Sequence, residues 1–171
     1  MSEIHPARLM DFETMYAAIQ EREAAGLVKR QTDGNLAIFN YTKRCQFDKA
    51  WDEITTITRG LVLDTVSRTV VANAFPKFFN VGERKEFSEP KDDMYAWEKV
   101  DGSMGLVFCH DGRWRVATRG SFTSPQAAAG QRILDACGYD LGKLDNGWTL
   151  LFEIVAPETR VVVPYEGERL V

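Results

Sequence analysis

Two Asp-Gly dipeptides, each lying between two runs of alternating apolar residues, constrain the fold of this chain most strongly. Asp33-Gly34 lies within residues 27–42, and Asp111-Gly112 separates Ser103–His110 from Arg113–Thr118. Asp-Gly suits the positive φ angles of a tight turn that joins two antiparallel strands. The sequence therefore predicts two β-hairpins.

Further strands are expected wherever short runs rich in β-branched and aromatic residues occur between polar segments. These runs are residues 58–64, 70–75, 94–99, 149–155 and 160–163. The last residues, 166–171, resemble the start of one more strand. Most of the chain is thus expected to be short strands.

Helical periodicity is confined to two segments. Residues 7–25 carry apolar side chains at helical spacing, and Gly26 provides a stop. Ser124-Pro125 combines a capping serine with proline at the first helical position, which predicts a helix to about Cys137. Many short strands and few helices favour an α+β domain with mainly antiparallel sheets and flanking helices over a doubly wound parallel sheet.

Length and composition are those of one soluble domain, residues 1–171. The chain is 44% hydrophobic and 27% charged, and no apolar run approaches bilayer length. The first ten residues lack the pattern of a signal peptide, so a cytoplasmic protein without a membrane partner is expected. A net charge of −4 lacks the basic excess of a general nucleic-acid binder, so any nucleic-acid contact is expected to be local.

Chemistry is concentrated around Lys99, which is followed by Val100, Asp101 and Gly102. On an extended strand Lys99 and Asp101 would point to the same face, and Gly102 would allow a ligand to approach the backbone. A lysine that is desolvated or surrounded by cations can be a nucleophile, because only the neutral amine attacks. The alternative is an ordinary surface ion pair, which is common for Lys-x-Asp.

The surrounding motifs decide between these alternatives. Glu98-Lys99-Val100-Asp101-Gly102-Ser103 resembles the nucleophile motif of the covalent nucleotidyltransferases, and Ser103 stands where DNA ligases usually have arginine. The chain is therefore most similar to the phage-type ATP-dependent RNA ligases. Five further matches follow the order of that family: Ile38-Phe39-Asn40-Tyr41, Thr58-Arg59-Gly60, Phe75-Pro76-Lys77-Phe78-Phe79-Asn80, Thr118-Arg119-Gly120-Ser121 and Phe152-Glu153-Ile154-Val155-Ala156-Pro157.

This resemblance implies an ATP-grasp-like nucleotidyltransferase domain in which Lys99 becomes covalently attached to AMP. Arg59 and Lys77 would bind the triphosphate and stabilise the charge that develops on it. Tyr41 and Phe79 would pack on or beside the adenine, although each has an ordinary core alternative.

The other implied nucleotide contacts come from Glu98, Gly102, Arg119 and Glu153. Glu98 would recognise the adenine amino group, and Arg119 would contact ribose or phosphate or else be a solvated arginine. By the family pattern Asp101 and Glu153 would hold Mg²⁺ or Mn²⁺ through its water shell, because Mg²⁺ needs only one or two carboxylates beside substrate phosphates.

Two elements of the family do not occur in this sequence. After Tyr165 neither the family's acidic metal-binding motif nor its Lys-x-Lys element is found. The chain is therefore expected to be the N-terminal part of the domain, either as a fragment or as a shortened gene product.

Three functions follow from these expectations. The leading one is an RNA ligase that transfers AMP to an RNA 5′-phosphate and joins it to a 3′-hydroxyl. The alternatives are a nucleotide-binding module without turnover, and a DNA ligase or capping-type nucleotidyltransferase.

Overall fold

Two four-stranded antiparallel sheets make up the centre of the computed structural model, which describes residues 4–83, 95 and 97–171. The first sheet has the order β1-β2-β3-β4, with β1 Val28–Asp33, β2 Leu36–Tyr41, β3 Arg59–Asp64 and β4 Thr69–Ala72. The second has the order β6-β5-β7-β8, with β5 Ser103–His110, β6 Arg113–Thr118, β7 Thr149–Val155 and β8 Arg169–Leu170. The predicted α+β class with antiparallel sheets is confirmed.

Four α-helices accompany the sheets in the described part of the chain. They are α1 Phe12–Ala24, α2 Lys43–Phe47, α3 Glu53–Ile57 and α4 Pro125–Ala136. Short 3-10 turns occur at Pro6–Arg8, Leu141–Lys143 and Pro157–Thr159. No helix among the described residues is long and apolar enough to cross a bilayer.

Apolar clusters arrange these elements in layers. Between α1, α3 and the outer face of the first sheet lie Met15, Ile19, Phe39 and Leu61. Between the two sheets lie Ile38, Val62, Leu106 and Phe108. Between the second sheet and α4 lie Val107, Ile133 and Ile154. The sheets therefore pack face to face, with helices covering their outer sides.

Local signals predicted several elements correctly. Strands β5, β6 and β7 have the predicted bounds, and α4 begins after Ser124, whose hydroxyl accepts the Ala127 N–H at 3.1 Å. Asp111-Gly112 forms the predicted turn. In the first hairpin the turn is shifted by one residue, because Asp33 still pairs with Leu36 and the loop is Gly34-Asn35.

The first helix begins later than predicted. Residues 7–25 were expected to be one helix, but α1 begins at Phe12 after a separate 3-10 turn. Asp11 is the reason, since its carboxylate accepts the Thr14 N–H at 2.9 Å and caps the helix. Leu9 is 71% exposed and does not contribute to the apolar face.

Three predicted strands differ from the structure. The run 70–75 is a strand only as far as Ala72. In the run 94–99, residues 94 and 96 lie outside the described residues, and 97–99 have no regular structure. The run 160–163 is a loop, because its main-chain N–H groups bond to a carboxylate instead of to a strand. The short helices α2 and α3 were not predicted.

Candidate active site

A cavity of about 340 Å³ lies where the two sheets meet. Its floor is formed by Lys29, Asn40 and Arg59, which are cross-strand neighbours on β1, β2 and β3. Directly paired residues of an antiparallel sheet point to the same face, so the three side chains form one row. In this row the Asn40 carboxamide lies between two cations, Lys29 and Arg59.

The opposite wall of the cavity comes from the second sheet and the start of α4. Its residues are Ser103, Met104, Thr118, Arg119, Gly120, Ser121, Ser124 and Gln126. The wall adds a third cation, the exposed Arg119, and several hydroxyl groups. Among the residues that the structure describes, three cations and no carboxylate line the cavity, which suits an anionic ligand such as a phosphate chain.

Arg59 connects the two sides of this site. Its Nη1 donates to the Phe75 carbonyl at 3.2 Å, and its guanidinium carbon lies 5.0 Å from the ring centroid of Phe78. Burial lowers the pKa of Arg59 below its ordinary value; Tyr41 and Glu153 oppose this effect, while Arg119 adds to it. Side chains from both sheets thus act electrostatically on one arginine.

Three aromatic rings form a cluster beside Arg59. Trp51 packs edge-on against Tyr41 at 4.9 Å and against Phe79 at 5.6 Å between ring centroids. Lys77 Nζ lies 4.1 Å from the Phe79 centroid and 5.5 Å from that of Trp51, and Arg119 lies 5.4 Å from that of Tyr41. Cations held over ring faces gain modest electrostatic stabilisation while they still carry charge for a ligand.

The segment with Phe78 and Phe79 is irregular, so strand alternation does not choose between the two rings. Phe79, the predicted adenine contact, is half-buried in the cluster, whereas Phe78 is 62% exposed beneath Arg59. Lys77 Nζ also donates to the Phe78 carbonyl. Both rings therefore contact a predicted phosphate-binding cation.

The segment with Lys99 differs from expectation. Lys99 is exposed and precedes β5 in a stretch without regular structure, so the strand predicted for residues 94–99 does not include it. Glu98 is exposed in the same stretch. Lys99 nevertheless acts on Asp101, because its positive charge contributes to lowering the pKa of that carboxyl group.

Asp101 is held mainly by the loop after β7. Its Oδ2 accepts the main-chain N–H groups of Val162 at 2.8 Å and Val163 at 2.7 Å. Those two hydrogen bonds are the largest cause of its lowered pKa. The Asp101 N–H donates to the Tyr165 hydroxyl at 3.1 Å. The loop therefore fixes both the carboxylate and the backbone beside Lys99.

Gly102 is required by close packing against β7. A Cβ at this position would lie 2.5 Å from the Ile154 carbonyl oxygen and 3.0 Å from Glu153 Cγ. The Gly102 N–H donates to Glu153 Oε1 at 3.2 Å. Absence of a side chain thus lets the residues after Lys99 lie directly on the strand that carries Glu153.

The two predicted metal carboxylates are both partly engaged. One oxygen of each, Asp101 Oδ2 and Glu153 Oε1, accepts main-chain hydrogen bonds, and the other accepts none from the described residues. The remaining oxygens fit a hydrated Mg²⁺, which keeps most of its waters. No group of three or more His, Cys, Asp or Glu side chains suited to a metal occurs in the described ranges.

Comparison with known proteins identifies the family of this chain. A family model described as RNA ligase matches residues 57–171, a span that includes Arg59, Lys77, Lys99 and Glu153. The chain belongs to the phage-type RNA ligase family. The family predicted from the ordered motifs is therefore confirmed.

Individual relatives of this RNA ligase family member come from phages and other sources. It is 35% identical over 122 residues to RNA ligase 1 of Bacteriophage TS2126, covering 63% of this chain and 31% of that protein. It is 24% identical over 205 aligned positions to RNA ligase of Rhodothermus phage RM378, covering 95% and 46%. A protein of Thermovibrio ammonificans named as a candidate RNA ligase is 34% identical over 120 residues, covering 66% and 32%. The chain spans about one third to one half of these relatives.

The sequence did not predict three side chains at the site of this RNA ligase family member, namely Lys29, Trp51 and Asn40. Trp51 was not singled out, although it lies at the centre of the aromatic cluster. A single tryptophan in the otherwise polar run between two capped helices was the available signal. Asn40 was quoted only as part of a motif, and nothing in the sequence indicates that it is buried in a cavity.

Proposed function

We propose that this chain carries out the nucleotidyl-transfer chemistry of an RNA ligase as a nucleotidyltransferase domain. The Lys99 amine, after losing its proton to solvent, attacks the α-phosphorus of ATP. A phosphorus–nitrogen bond forms, the bond to the bridging oxygen breaks, and pyrophosphate leaves. The product is a lysyl-AMP in which AMP is held for the next step.

The convergence on Arg59 carries this proposal. Arg59 interacts with Tyr41 of the first sheet and with Arg119 and Glu153 of the second, beside a cavity with cationic walls. Charge that develops on the α-phosphate and the leaving group would be stabilised by fixed cations. Arg59 and Arg119 supply two of them, and Lys77 supplies another from the aromatic cluster.

The half-buried Phe79 would supply a ring surface for the adenine beside these cations, whereas Tyr41, 7% exposed, supports the aromatic cluster through Trp51. Asp101 and Glu153 would hold Mg²⁺ or Mn²⁺ through water, which would neutralise charge on the triphosphate and pyrophosphate oxygens. Glu98, exposed in the structure, would contact adenine only if nucleotide binding brought the base to it.

The later steps involve RNA. The 5′-phosphate of an RNA strand attacks the lysyl-AMP phosphorus, which frees Lys99 and gives an adenylylated 5′ end. A 3′-hydroxyl then attacks that RNA phosphate, a phosphodiester bond forms, and AMP leaves. RNA ends are the proposed partners because the relatives are named RNA ligases.

The test of the first step is covalent labelling. The protein is incubated with ATP labelled at the α-phosphate, together with Mg²⁺ or Mn²⁺, and the denatured protein is examined for retained label. Wild-type protein is expected to retain a label that acid removes, as a phosphorus–nitrogen bond requires. Lys99→Ala is expected to retain none.

Lys143→Ala is the matched control, because Lys143 is an exposed lysine paired with Asp140 at 2.7 Å away from the cavity. It should label like wild type. Equal labelling of Lys99→Ala would refute the assignment of the nucleophile. ATP binding in calorimetry without any label would instead support the module without turnover, and a preference for GTP or for nicked DNA would support the capping or DNA ligase alternatives.

A further inference from the structure

Asn40 carries a buried hydrogen-bond acceptor that has no partner in the part of the chain that the structure describes. Its side chain lies in the cavity floor between Lys29 and Arg59 and is 4% exposed. Its Oδ1 is buried and accepts no hydrogen bond from the described residues. Native proteins satisfy nearly all such groups, so an exception in a side chain that lines a cavity is a candidate ligand contact.

Other buried polar groups of the same region show the contrast. Thr58 is fully buried one residue before β3, and its hydroxyl donates to the Thr55 carbonyl at 3.0 Å. Asp64 at the far end of β3 accepts the N–H groups of Val66 and Ser67. The buried polar groups of Thr58 and Asp64 therefore have hydrogen-bond partners within the protein, whereas Asn40 Oδ1 has none among the described residues.

Packing holds the carboxamide in position. Gly120 of the opposite wall lies so close that a Cβ there would be 3.4 Å from Asn40 Cβ and 3.4 Å from Lys29 Cε. Asn40 therefore borders the cavity in a place that packing against the opposite wall restricts.

The charge of the cavity limits what that group can be. Lys29, Arg59 and Arg119 favour phosphate, but phosphate oxygens near neutral pH mainly accept hydrogen bonds. Oδ1 is itself an acceptor and needs a donor. ATP offers neutral donors at its ribose hydroxyls and at its adenine 6-amino group.

We propose that Asn40 determines nucleotide specificity, with its Oδ1 accepting a hydrogen bond from a ribose hydroxyl or the adenine amino group of ATP. The inference rests on the proposed function only in taking ATP as the ligand. It adds a specificity residue that the ordered motifs did not assign.

The test is a double-mutant cycle in which one change removes the Asn40 carboxamide and the other removes one hydrogen-bond donor of the nucleotide. Binding of ATP, 2′-deoxy-ATP, 3′-deoxy-ATP and purine riboside triphosphate, which lacks the 6-amino group, is measured by calorimetry for Lys99→Ala and for Lys99→Ala with Asn40→Leu. Without the Asn40 change, one analogue is expected to bind about tenfold more weakly than ATP. With Asn40→Leu, ATP is expected to bind about tenfold more weakly and that analogue no more weakly than ATP.

The identity of the affected analogue distinguishes the ribose hydroxyls from the amino group. Asn35→Leu, in the exposed turn of the first hairpin, is the control and should leave every affinity unchanged. Asn40→Leu without ligand is expected to melt at a higher temperature than wild type, because a buried unpaired carbonyl has been removed. If Asn40→Leu does not fold, Asn40→Ala serves in the same cycle.

The inference is overturned if the Asn40 variant binds ATP as tightly as its parent protein does. It is also overturned if each analogue binds more weakly than ATP by the same factor with and without the Asn40 change. Labelling and binding separate the two proposals. If Asn40→Leu removes the discrimination against one analogue while the wild-type protein is not labelled at Lys99, the role of Asn40 is retained and the transfer chemistry is rejected. If the wild-type protein is labelled but Asn40→Leu does not remove that discrimination, the transfer chemistry is retained and the role of Asn40 is rejected.

Discussion

The two sides of the site are built in different ways. On the first-sheet side, Arg59 and Lys77 are placed by aromatic rings and by carbonyl groups. On the second-sheet side, Asp101 and Glu153 are placed by main-chain N–H groups. Cations thus depend on side-chain packing, and carboxylates depend on the course of the backbone.

This difference has a chemical consequence. The first-sheet side carries Arg59 and Lys77, whereas the second-sheet side carries both carboxylates together with the cations Arg119 and Lys99. A nucleotide triphosphate with a hydrated metal ion would therefore meet only cations on one side and both kinds of charge on the other. Side-chain substitutions should therefore damage the first side most, whereas changes that move the backbone should damage the second.

Arg59→Lys should reduce the rate of covalent labelling about 100-fold, because a lysine keeps the charge but loses the planar fork that reaches several partners. The measurement is single-turnover labelling with ATP, with melting temperature as a check on folding. Arg113→Lys, at an exposed hairpin position, is the control. Equal labelling rates for both variants would show that the Arg59 guanidinium is not needed and that the first-sheet side tolerates side-chain substitution.

Gly102→Ala should lower the free energy of unfolding by about 1–3 kcal/mol and reduce labelling, because the new Cβ must displace the β7 backbone. Denaturant unfolding and the labelling assay measure the two effects. Gly142→Ala is the matched control, since a Cβ there meets its nearest atom, Asp140 Oδ1, at 3.6 Å. Wild-type stability of Gly102→Ala would show that the second side tolerates backbone movement.

As pH falls, the protein should lose stability through protonation of His5 before it loses the contribution of the ionised Asp101. Burial, with a smaller contribution from Arg8, lowers the pKa of His5 from 6.5 to about 4. Between these values the unfolded chain binds a proton that the folded chain does not, so stability falls as pH decreases from 6.5 to 4. The loss is up to about 3 kcal/mol.

His5→Asn should remove this part of the pH dependence while keeping an acceptor for the Ala7 N–H, which His5 Nδ1 accepts at 3.2 Å. Urea unfolding of both proteins at pH 4, 5, 6 and 7 measures the difference. The pKa of Asp101 lies below its ordinary 3.8, so stability from its ionised form is lost only as pH falls below that range. Parallel profiles for both proteins would contradict the role of His5.

Trp51→Leu should have the smallest effect, raising the KM for ATP in the labelling reaction about two- to fivefold with little change in the maximal rate. The reason is loss of the ring that packs on Tyr41 and Phe79 and faces Lys77. Trp148→Leu, 60% exposed and outside the cluster, is the control. A large change in maximal rate would assign Trp51 a closer role in the chemistry.

Prediction from sequence succeeded where the physical cause is local. Asp111-Gly112 sets its own turn, and Ser124-Pro125 begins α4 through a cap three residues long. It failed at residues 97–99 and 160–163, where apolar composition suggested strands. In the second of these runs the Asp101 carboxylate accepts the Val162 and Val163 N–H groups across 61 and 62 residues of separation, a contact that no local pattern contains.

The ordered motifs determined the family of this protein from sequence alone, because each motif is a short run and both the runs and their order can be identified without knowledge of the fold. The role of Lys99 as nucleophile stays a prediction of those motifs. Only tertiary structure placed Arg59 beside Glu153, Trp51 among the site rings and Asn40 in the cavity floor. Burial and long-range hydrogen bonding arise when the two sheets pack, and they depend on residues distant along the chain.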